Sequence, residues 1–169
     1  NRIFGYEALN ILLRFLPTRN INLILKLFGA KIGKNVRRKS PLVIHNADEN
    51  EKIYMNLTIG DNVYIGRDCI FDIKDKITIE NNVTISHRAV FNTHIDLGNS
   101  NNLKKKYYPT LTAKIKIKNG SYIGSNVTIL QNVTIGSNSL IGSFSLVNKD
   151  IKSGYRAFGV PCRENKRLI

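Results

Sequence analysis

The chain of 169 residues contains no tryptophan, one methionine, four prolines and two cysteines. Cys69 and Cys162 lie far apart without a metal-site spacing, and two thiols are too few for a disulfide-rich domain. No apolar run reaches the ~18 residues that a bilayer-spanning helix needs, and the start lacks the pattern of a secretory signal. These absences argue against a secreted or membrane-spanning class and favour a cytoplasmic protein.

Acidic residues are also scarce. The sequence has 12 Asp and Glu against 26 Lys and Arg, which gives a formal net charge of +14. This excess favours anionic partners such as nucleic acid, a phosphorylated cofactor, an acidic glycan or a membrane surface. No nucleic-acid recognition motif accompanies the charge, and the aromatic residues do not form a stacking platform. Nucleic acid is therefore not expected among the partners.

A six-residue repeat dominates the chain. Hexads begin at Ile32, Ile59 and Ile79, and six of them run without a break from Ile117. The first position is nearly always Ile, the fifth is small or branched, and Gly, Asn, Asp and Ser fill the turns between. Neither a helix nor a hairpin sheet repeats in this way, whereas a solenoid of short parallel strands does. We therefore predict an all-β fold, a parallel β-helix with three hexads per coil.

The repeat also divides the chain. Residues 32–152 form the predicted β-helix, and residues 97–116 interrupt it as a protruding loop, a kind of long excursion that is often functional. Residues 1–31 precede it as an N-terminal segment with two short amphipathic helices around Pro17, because a proline breaks a helix interior. Residues 153–169 are aperiodic and basic, and they are expected to pack along the coil.

Several motifs that together cover about residues 59–166 resemble the hexapeptide-repeat O-acetyltransferases of the maltose, galactoside and exopolysaccharide type. The matching stretches are LTIGDNVYIG, ITIENNVTIS, THID, NGSYIGSNVTI, VTIGSNSLIGSFSLVNKDI and GVPCR. The resemblance implies a left-handed coil, acetyl-CoA as the acetyl donor with no metal, and a homotrimer with each active site between neighbouring coils. It also implies a saccharide hydroxyl as acceptor. We favour a surface polysaccharide or its precursor, because the N-terminal helices resemble the polysaccharide-decorating branch.

The same resemblance points to His94 as the catalytic base, since Thr93-His94-Ile95-Asp96 stands where a third hexad meets the protruding loop. Such a base takes the proton of a sugar hydroxyl, which then attacks the thioester carbonyl. The backbone amide of Ser125 is the implied donor to the oxyanion. Asp72 and Tyr122 are candidate acceptor-binding residues. Asp72 is also a candidate for orienting the imidazole, and a plain turn aspartate is the alternative.

The stretch from Tyr122 to Lys166 matches the family without a gap, and it carries the family's CoA contacts onto six positions. These are Ser125, Ser143, Asn148, Lys149, Arg163 and Lys166. Backbone amides and small side chains along a coil edge can bind the pantetheine amides, and the basic side chains can pair with the phosphates. Two residues depart from the family pattern, since Tyr122 replaces a usual Trp and Asn148 a usual Thr.

Two other functions stay open at this point. A γ-type carbonic anhydrase is a zinc enzyme on the same coil, but His45, His87 and His94 lack the close histidine pair of that class. We expect His87 to be structural and assign no role to His45. A coil that only scaffolds a complex is the second alternative. The N-terminal helices are in addition a candidate for peripheral contact with a membrane.

Overall fold

The computed structural model describes residues 5–46, 52–96, 107–108 and 110–168. Two helices, α1 (Gly5–Leu13) and α2 (Thr18–Leu27), lie on either side of Pro17, as the sequence predicts. Neither described helix has the length and apolarity to span a bilayer.

The rest of the described chain consists of short strands and the turns that join them. In chain order they are β1 (Lys31–Ile32), β2 (Arg37–Arg38), β3 (Leu42–His45), β4 (Leu57–Ile59), β5 (Tyr64–Ile65), β6 (Cys69–Asp72), β7 (Ile77–Ile79), β8 (Thr84–Ile85), β9 (Val90–Phe91), β10 (His94–Ile95), β11 (Leu111–Thr112), β12 (Ile115–Ile117), β13 (Tyr122–Ile123), β14 (Thr128–Ile129), β15 (Thr134–Ile135), β16 (Leu140–Ile141), β17 (Leu146–Val147), β18 (Tyr155–Phe158) and β19 (Arg163–Arg167).

These strands form the three sides of a parallel β-helix. Side 1 is the sheet β1-β4-β7-β12-β15, side 2 contains β2-β5-β8-β13-β16-β18, and side 3 is β3-β6-β9-β14-β17. Each coil passes through the three sides in turn, so β1 to β3 form the first coil and β15 to β17 the fifth. Corner 2–3 is the turn after side 2, and corner 3–1 is the turn after side 3.

The hexad isoleucines stack inside the coil as predicted. On side 1 the parallel register pairs Ile59 with Ile79, and Ile117 with both Ile79 and Ile135, and all four side chains are buried. Burying one such side chain contributes about 1.5–3 kcal/mol, so the ladder supplies the main attraction between coils. On side 3 the rings of Phe71 and Phe91 stack with centroids 4.7 Å apart.

The fourth position of most hexads adopts a left-handed backbone conformation. Asn62, Asn126 and Asn138, for example, have φ between 54° and 56°. Asparagine tolerates this region better than other residues with a side chain, which explains why the repeat prefers it there. Phe144 occupies the same position with φ 59°, although its side chain is 71% exposed. A bulky residue in this conformation carries backbone strain.

The protruding segment leaves the β-helix at the end of the third coil. Strand β10 pairs antiparallel with β11, and residues 97–106 and 109 lie outside the described residues. The side chain of Ile115 is buried, and Ile115 of β12 pairs with Ile77 of β7 in a parallel register. The coil therefore resumes two residues before the end of the predicted insertion 97–116, because Ile115 already contributes to the core. At the far end β18 extends side 2, and β19 pairs back on it antiparallel.

Replacing Phe144 with Asn should stabilise the chain by roughly 1 kcal/mol, because Asn tolerates the left-handed conformation and the exposed ring loses little burial. The measurement is the free energy of unfolding in a denaturant titration. As a matched control, Asn138→Phe at the same position of the preceding hexad should destabilise the chain by a similar amount. A loss of stability in Phe144→Asn would mean that contacts of the ring outweigh the strain.

Candidate active site

The predicted base and an aspartate meet at corner 3–1. His94 Nδ1 lies 2.6 Å from Asp72 Oδ2. Asp72 is the last residue of β6 in the second coil, and His94 begins β10 directly after the third coil. Stacking of the coils therefore brings together two residues that are 22 positions apart in sequence.

The Asp72 carboxylate is held from several directions. Its Oδ2 also accepts hydrogen bonds from the backbone N–H of Thr93 at 2.8 Å and of His94 at 3.2 Å. Its Oδ1 accepts from Asn46 Nδ2 at 2.6 Å and from the backbone N–H of Lys74 at 3.3 Å. These contacts tie the first, second and third coils to one buried side chain.

The same contacts favour the ionised form of the Asp72 carboxyl. Burial acts to raise the pKa of the Asp72 carboxyl, but hydrogen bonds from Asn46 and His94, and the charge of His94, hold that pKa below its ordinary value. An ionised carboxylate only accepts hydrogen bonds, so Nδ1 of a neutral His94 must be the donor. The other ring nitrogen, Nε2, is then unprotonated and able to accept a proton. Asp72 thus contacts the imidazole of His94 directly, in addition to the backbone of the turn.

A cleft of about 440 Å³ opens beside this pair. Its lining consists of His45, Asn46, Ile70, Asp72, Asn92, His94, Ile95 and Asp96. Six of these side chains are polar and two, Ile70 and Ile95, are apolar, a lining that suits a ligand with several hydroxyl groups. Asp96 lies at the rim, where Thr110 donates a 3.4 Å hydrogen bond to it.

His45 and Asn46 line the cleft although no sequence motif marks either of them. A signal was present, since the hexad frame of Ile32 continues through Arg38 to Ile44. Arg38 is a buried residue at an interior position, where the repeat normally has an aliphatic one, and this break hides the frame. Extending the frame would have placed His45 beside Asp72, its partner in the β3–β6 register.

The predicted oxyanion donor lies at a different corner. Ser125 follows β13 at corner 2–3 of the fourth coil, and its backbone N–H donates to Ser143 Oγ of the fifth coil at 3.2 Å. Tyr122 faces outward from side 2, and its hydroxyl lies 2.9 Å from Ser86 Oγ at corner 2–3 of the third coil. Side 3 therefore separates Ser125 and Tyr122 from His94 within one chain.

The predicted CoA-contacting residues divide in the same way. Asn148 and Lys149 follow β17 at corner 3–1, two coils beyond His94 on the same edge. Arg163 begins β19 opposite Phe158, next to Cys162, whose backbone N–H donates to the carbonyl of Leu146 at the start of side 3. Lys166 lies farther along β19. The chain thus presents two groups of predicted site residues on two edges.

The three histidines do not converge. His45 and His94 line one cleft, whereas His87 lies at corner 2–3, where its Nδ1 accepts a 3.3 Å hydrogen bond from the backbone N–H of Arg67. Among the described residues, no cluster of three or more His, Cys, Asp or Glu side chains could hold a metal ion.

Known proteins share this architecture. The family model of the bacterial transferase hexapeptide, with six repeats, matches residues 114–149. Residues 114–149 of the chain therefore carry the repeat that this model describes. Among sequences of curated proteins, none matches it.

Solved structures share the fold of this chain over nearly its whole length. The hexapeptide-repeat acetyltransferase VCA0836 from Vibrio cholerae superposes with a TM-score of 0.81 at 23% identity, over 96% of this chain and 88% of that one. A maltose O-acetyltransferase from Clostridium difficile gives 0.81 at 25%, over 96% and 84%. A galactoside acetyltransferase in complex with coenzyme A gives 0.73 at 25%, over 96% and 78%. The fold is thus the predicted left-handed parallel β-helix of the hexapeptide acetyltransferases.

The geometry predicts opposite tautomers for two histidines. Neutral His94 should carry its proton on Nδ1, which donates to Asp72, whereas neutral His87 should carry it on Nε2, because its Nδ1 accepts from a backbone amide. Nitrogen-15 NMR of the imidazoles measures both, and His87 serves as the internal control. Asp72→Asn, which can present an N–H to the ring, should shift His94 toward the Nε2-protonated form. A native His94 protonated mainly on Nε2 would contradict the assignment.

Proposed function

We propose that this protein transfers an acetyl group from acetyl-CoA to a hydroxyl group of a saccharide, with His94 as the general base. The observation that carries the proposal is the Asp72–His94 pair at 2.6 Å, which lines an open polar cleft. The fold that presents this pair is shared with two sugar acetyltransferases, one of them solved with coenzyme A.

The reaction balances without a covalent enzyme intermediate. His94 Nε2 takes the proton of the acceptor hydroxyl while the hydroxyl oxygen forms a bond to the thioester carbonyl carbon. The resulting oxyanion accepts a hydrogen bond from a backbone N–H, which we assign to Ser125. Collapse of the tetrahedral intermediate breaks the carbon–sulfur bond, and the CoA thiolate takes the proton back from the imidazolium. Asp72 stabilises the imidazolium throughout. The products are an acetyl ester and free CoA.

Neither cysteine competes for the role of nucleophile. Cys69 and Cys162 are both buried, and burial raises the pKa of both thiols, that of Cys69 to about 11. A thiol must ionise to attack a thioester, so these side chains are poorly reactive near neutral pH. Their positions inside the coil and beneath β17 are those of core residues.

The site is proposed to form between two copies of the chain in a homotrimer. His94 and Ser125 lie at corners separated by side 3, so one chain cannot bring both to the same carbonyl carbon. A neighbouring copy that packs its corner 2–3 against corner 3–1 of the first would bring them together. In a closed cyclic trimer the same contact repeats three times and forms three equivalent sites.

The basic residues follow the same division. Lys149 lies on the edge that carries His94, and Arg163 lies on the edge that carries Ser125 and Ser143. In the proposed trimer they approach the cofactor from opposite sides, with Asn148 next to Lys149 and Lys166 farther along β19. Side chains with positive charge pair well with the phosphates of CoA. In this arrangement CoA lies in a groove between two neighbouring copies. Its phosphates lie at one end of that groove, and the reacting thioester lies at the opposite end, near His94.

The acceptor is proposed to be a surface polysaccharide or its precursor. The cleft beside His94 offers an imidazole, two amides and a carboxylate, from His45, Asn46, Asn92 and Asp96. Such groups hydrogen-bond to sugar hydroxyls, and they set which hydroxyl reaches Nε2. Tyr122, on the other edge, belongs to the part of the site that the neighbouring copy supplies.

A thiol-release assay with acetyl-CoA and a panel of nucleotide sugars and oligosaccharides tests this function. His94→Ala should lower kcat by about 10²–10⁴-fold, because it removes the general base, while acetyl-CoA binding changes little. His87→Ala is the matched control, and it should keep nearly full activity because its ring hydrogen-bonds to the backbone of Arg67 and does not line the cleft of His94. More than half of the native rate in His94→Ala would refute the assigned role.

A further inference from the structure

The two N-terminal helices close one end of the β-helix. Leu13, Ile21 and Leu25 are fully buried against the coil. Asn10 Nδ2 donates to the carbonyl of Ile44, and Asn22 Nδ2 donates to the carbonyl of Val36, each at 3.0 Å. We call these helices and the residues up to Phe28 the cap. Because one face of the cap is held on the first coil, its other face points away from the β-helix.

The outward face of the cap is apolar to an unusual degree. Its large exposed side chains, with their exposed fractions, are Ile11 54%, Leu12 46%, Phe15 81%, Leu23 59%, Leu27 71% and Phe28 40%. Leu23 and Leu27 are four residues apart in α2 and lie on one face of that helix, whereas Ile11 and Leu12 lie in α1 and Phe15 in the turn that follows it. Side chains of this size rarely cluster on an exposed surface without a partner.

Basic residues surround these side chains. Arg14, Arg19 and Lys26 are exposed within the cap, and Lys31 is exposed directly after it. The first 46 residues contain nine Lys and Arg but only one acidic residue, Glu7. Exposed apolar side chains interleaved with cations are typical of a helix that lies in the interface of an anionic membrane.

Other occupants fit less well. A second copy of the cap would bring like charges together, which opposes association. A nucleic acid would pair with the cations but leave the apolar side chains exposed. An anionic lipid surface satisfies both features, because phosphates meet the cations and the headgroup boundary takes up the apolar side chains.

We propose that the cap binds anionic membranes as an interfacial element. The apolar side chains of α1 and α2 enter the boundary between headgroups and acyl chains, and Arg14, Arg19 and Lys26 contact lipid phosphates. This proposal also bears on the substrate, and in that respect it rests on the proposed function. The cleft is lined by His45, which ends β3, and by Asn46 directly after it, and β3 also holds α1 through Ile44, so a membrane-attached saccharide could reach His94.

The absence of tryptophan from the native sequence gives a site-specific probe. Phe15→Trp introduces a single indole on the outward face, and Val160→Trp, at a side chain that is 72% exposed, places one at the opposite end of the coil. With vesicles of phosphatidylcholine and phosphatidylglycerol, the emission of Phe15→Trp should shift to shorter wavelength, and that of Val160→Trp should not. Vesicles of phosphatidylcholine alone should give at most a small shift.

Flotation of the full chain with the same vesicles measures binding directly. Phe15→Gln combined with Leu27→Gln, and separately Arg19→Gln combined with Lys26→Gln, should each lower the bound fraction at least about tenfold. Lys114→Gln, an exposed cation beyond the cap, should have little effect. Added salt should weaken binding, because the charge contacts are exposed. These readouts need no acetyl transfer, so they can fail or succeed independently of the proposed function.

Three results would overturn the proposal. The first is equal binding to neutral and anionic vesicles, and the second is undiminished binding by both double variants. The third is a pair of observations: the native chain does not bind vesicles, and light scattering gives a smaller assembly for Phe15→Gln/Leu27→Gln than for the native chain. That last outcome would identify the cap as a contact between copies. Because the substituted side chains are exposed, circular dichroism should report an unchanged fold, and the Phe15→Trp shift provides a second test if it does not.

Discussion

The length of the hexad is the constraint on which the rest of this structure depends. Six residues make one side of the coil, so the position of a residue in the repeat determines whether it lies inside, on a side or at a corner. The buried ladder of Ile59, Ile79, Ile117 and Ile135 holds successive coils in register. Polar chemistry is then confined to the corners, and residues about one coil apart in sequence become neighbours. Asp72 and His94 are such a pair.

The central carboxylate shows how a regular scaffold supports an irregular site. Asp72 of the second coil is buried, yet it accepts hydrogen bonds from Asn46 after the first coil and from Thr93 and His94 after the third. Those contacts keep its pKa low despite burial and orient an imidazole with one free nitrogen. The protruding segment begins at the same point, where β10 leaves the coil. A break in the repeat and the Asp72–His94 pair therefore coincide.

Much of the fold could be predicted from sequence because the hexad signal is repeated many times. The three sides, the interior isoleucines and the helices around Pro17 all follow from local patterns. The site was harder to predict, because it depends on single residues. Arg38 interrupts the repeat and hid His45 and Asn46, which have no motif of their own. The separation of His94 from Ser125 follows from counting hexads. Whether the two residues act in one site depends on packing between chains, which a repeat does not encode.

The central claim is that one chain supplies the base and another the oxyanion donor, and mixing two inactive chains tests it most directly. His94→Ala removes the base, and Ser143→Trp fills corner 2–3 with an exposed side chain that blocks the groove. Each variant alone should be inactive. Co-expressed in equal amounts, they should recover about a quarter of the native rate, because one random pairing of neighbours in four joins the two intact corners. Full activity of Ser143→Trp alone, or no recovery in the mixture, would contradict a site shared between copies.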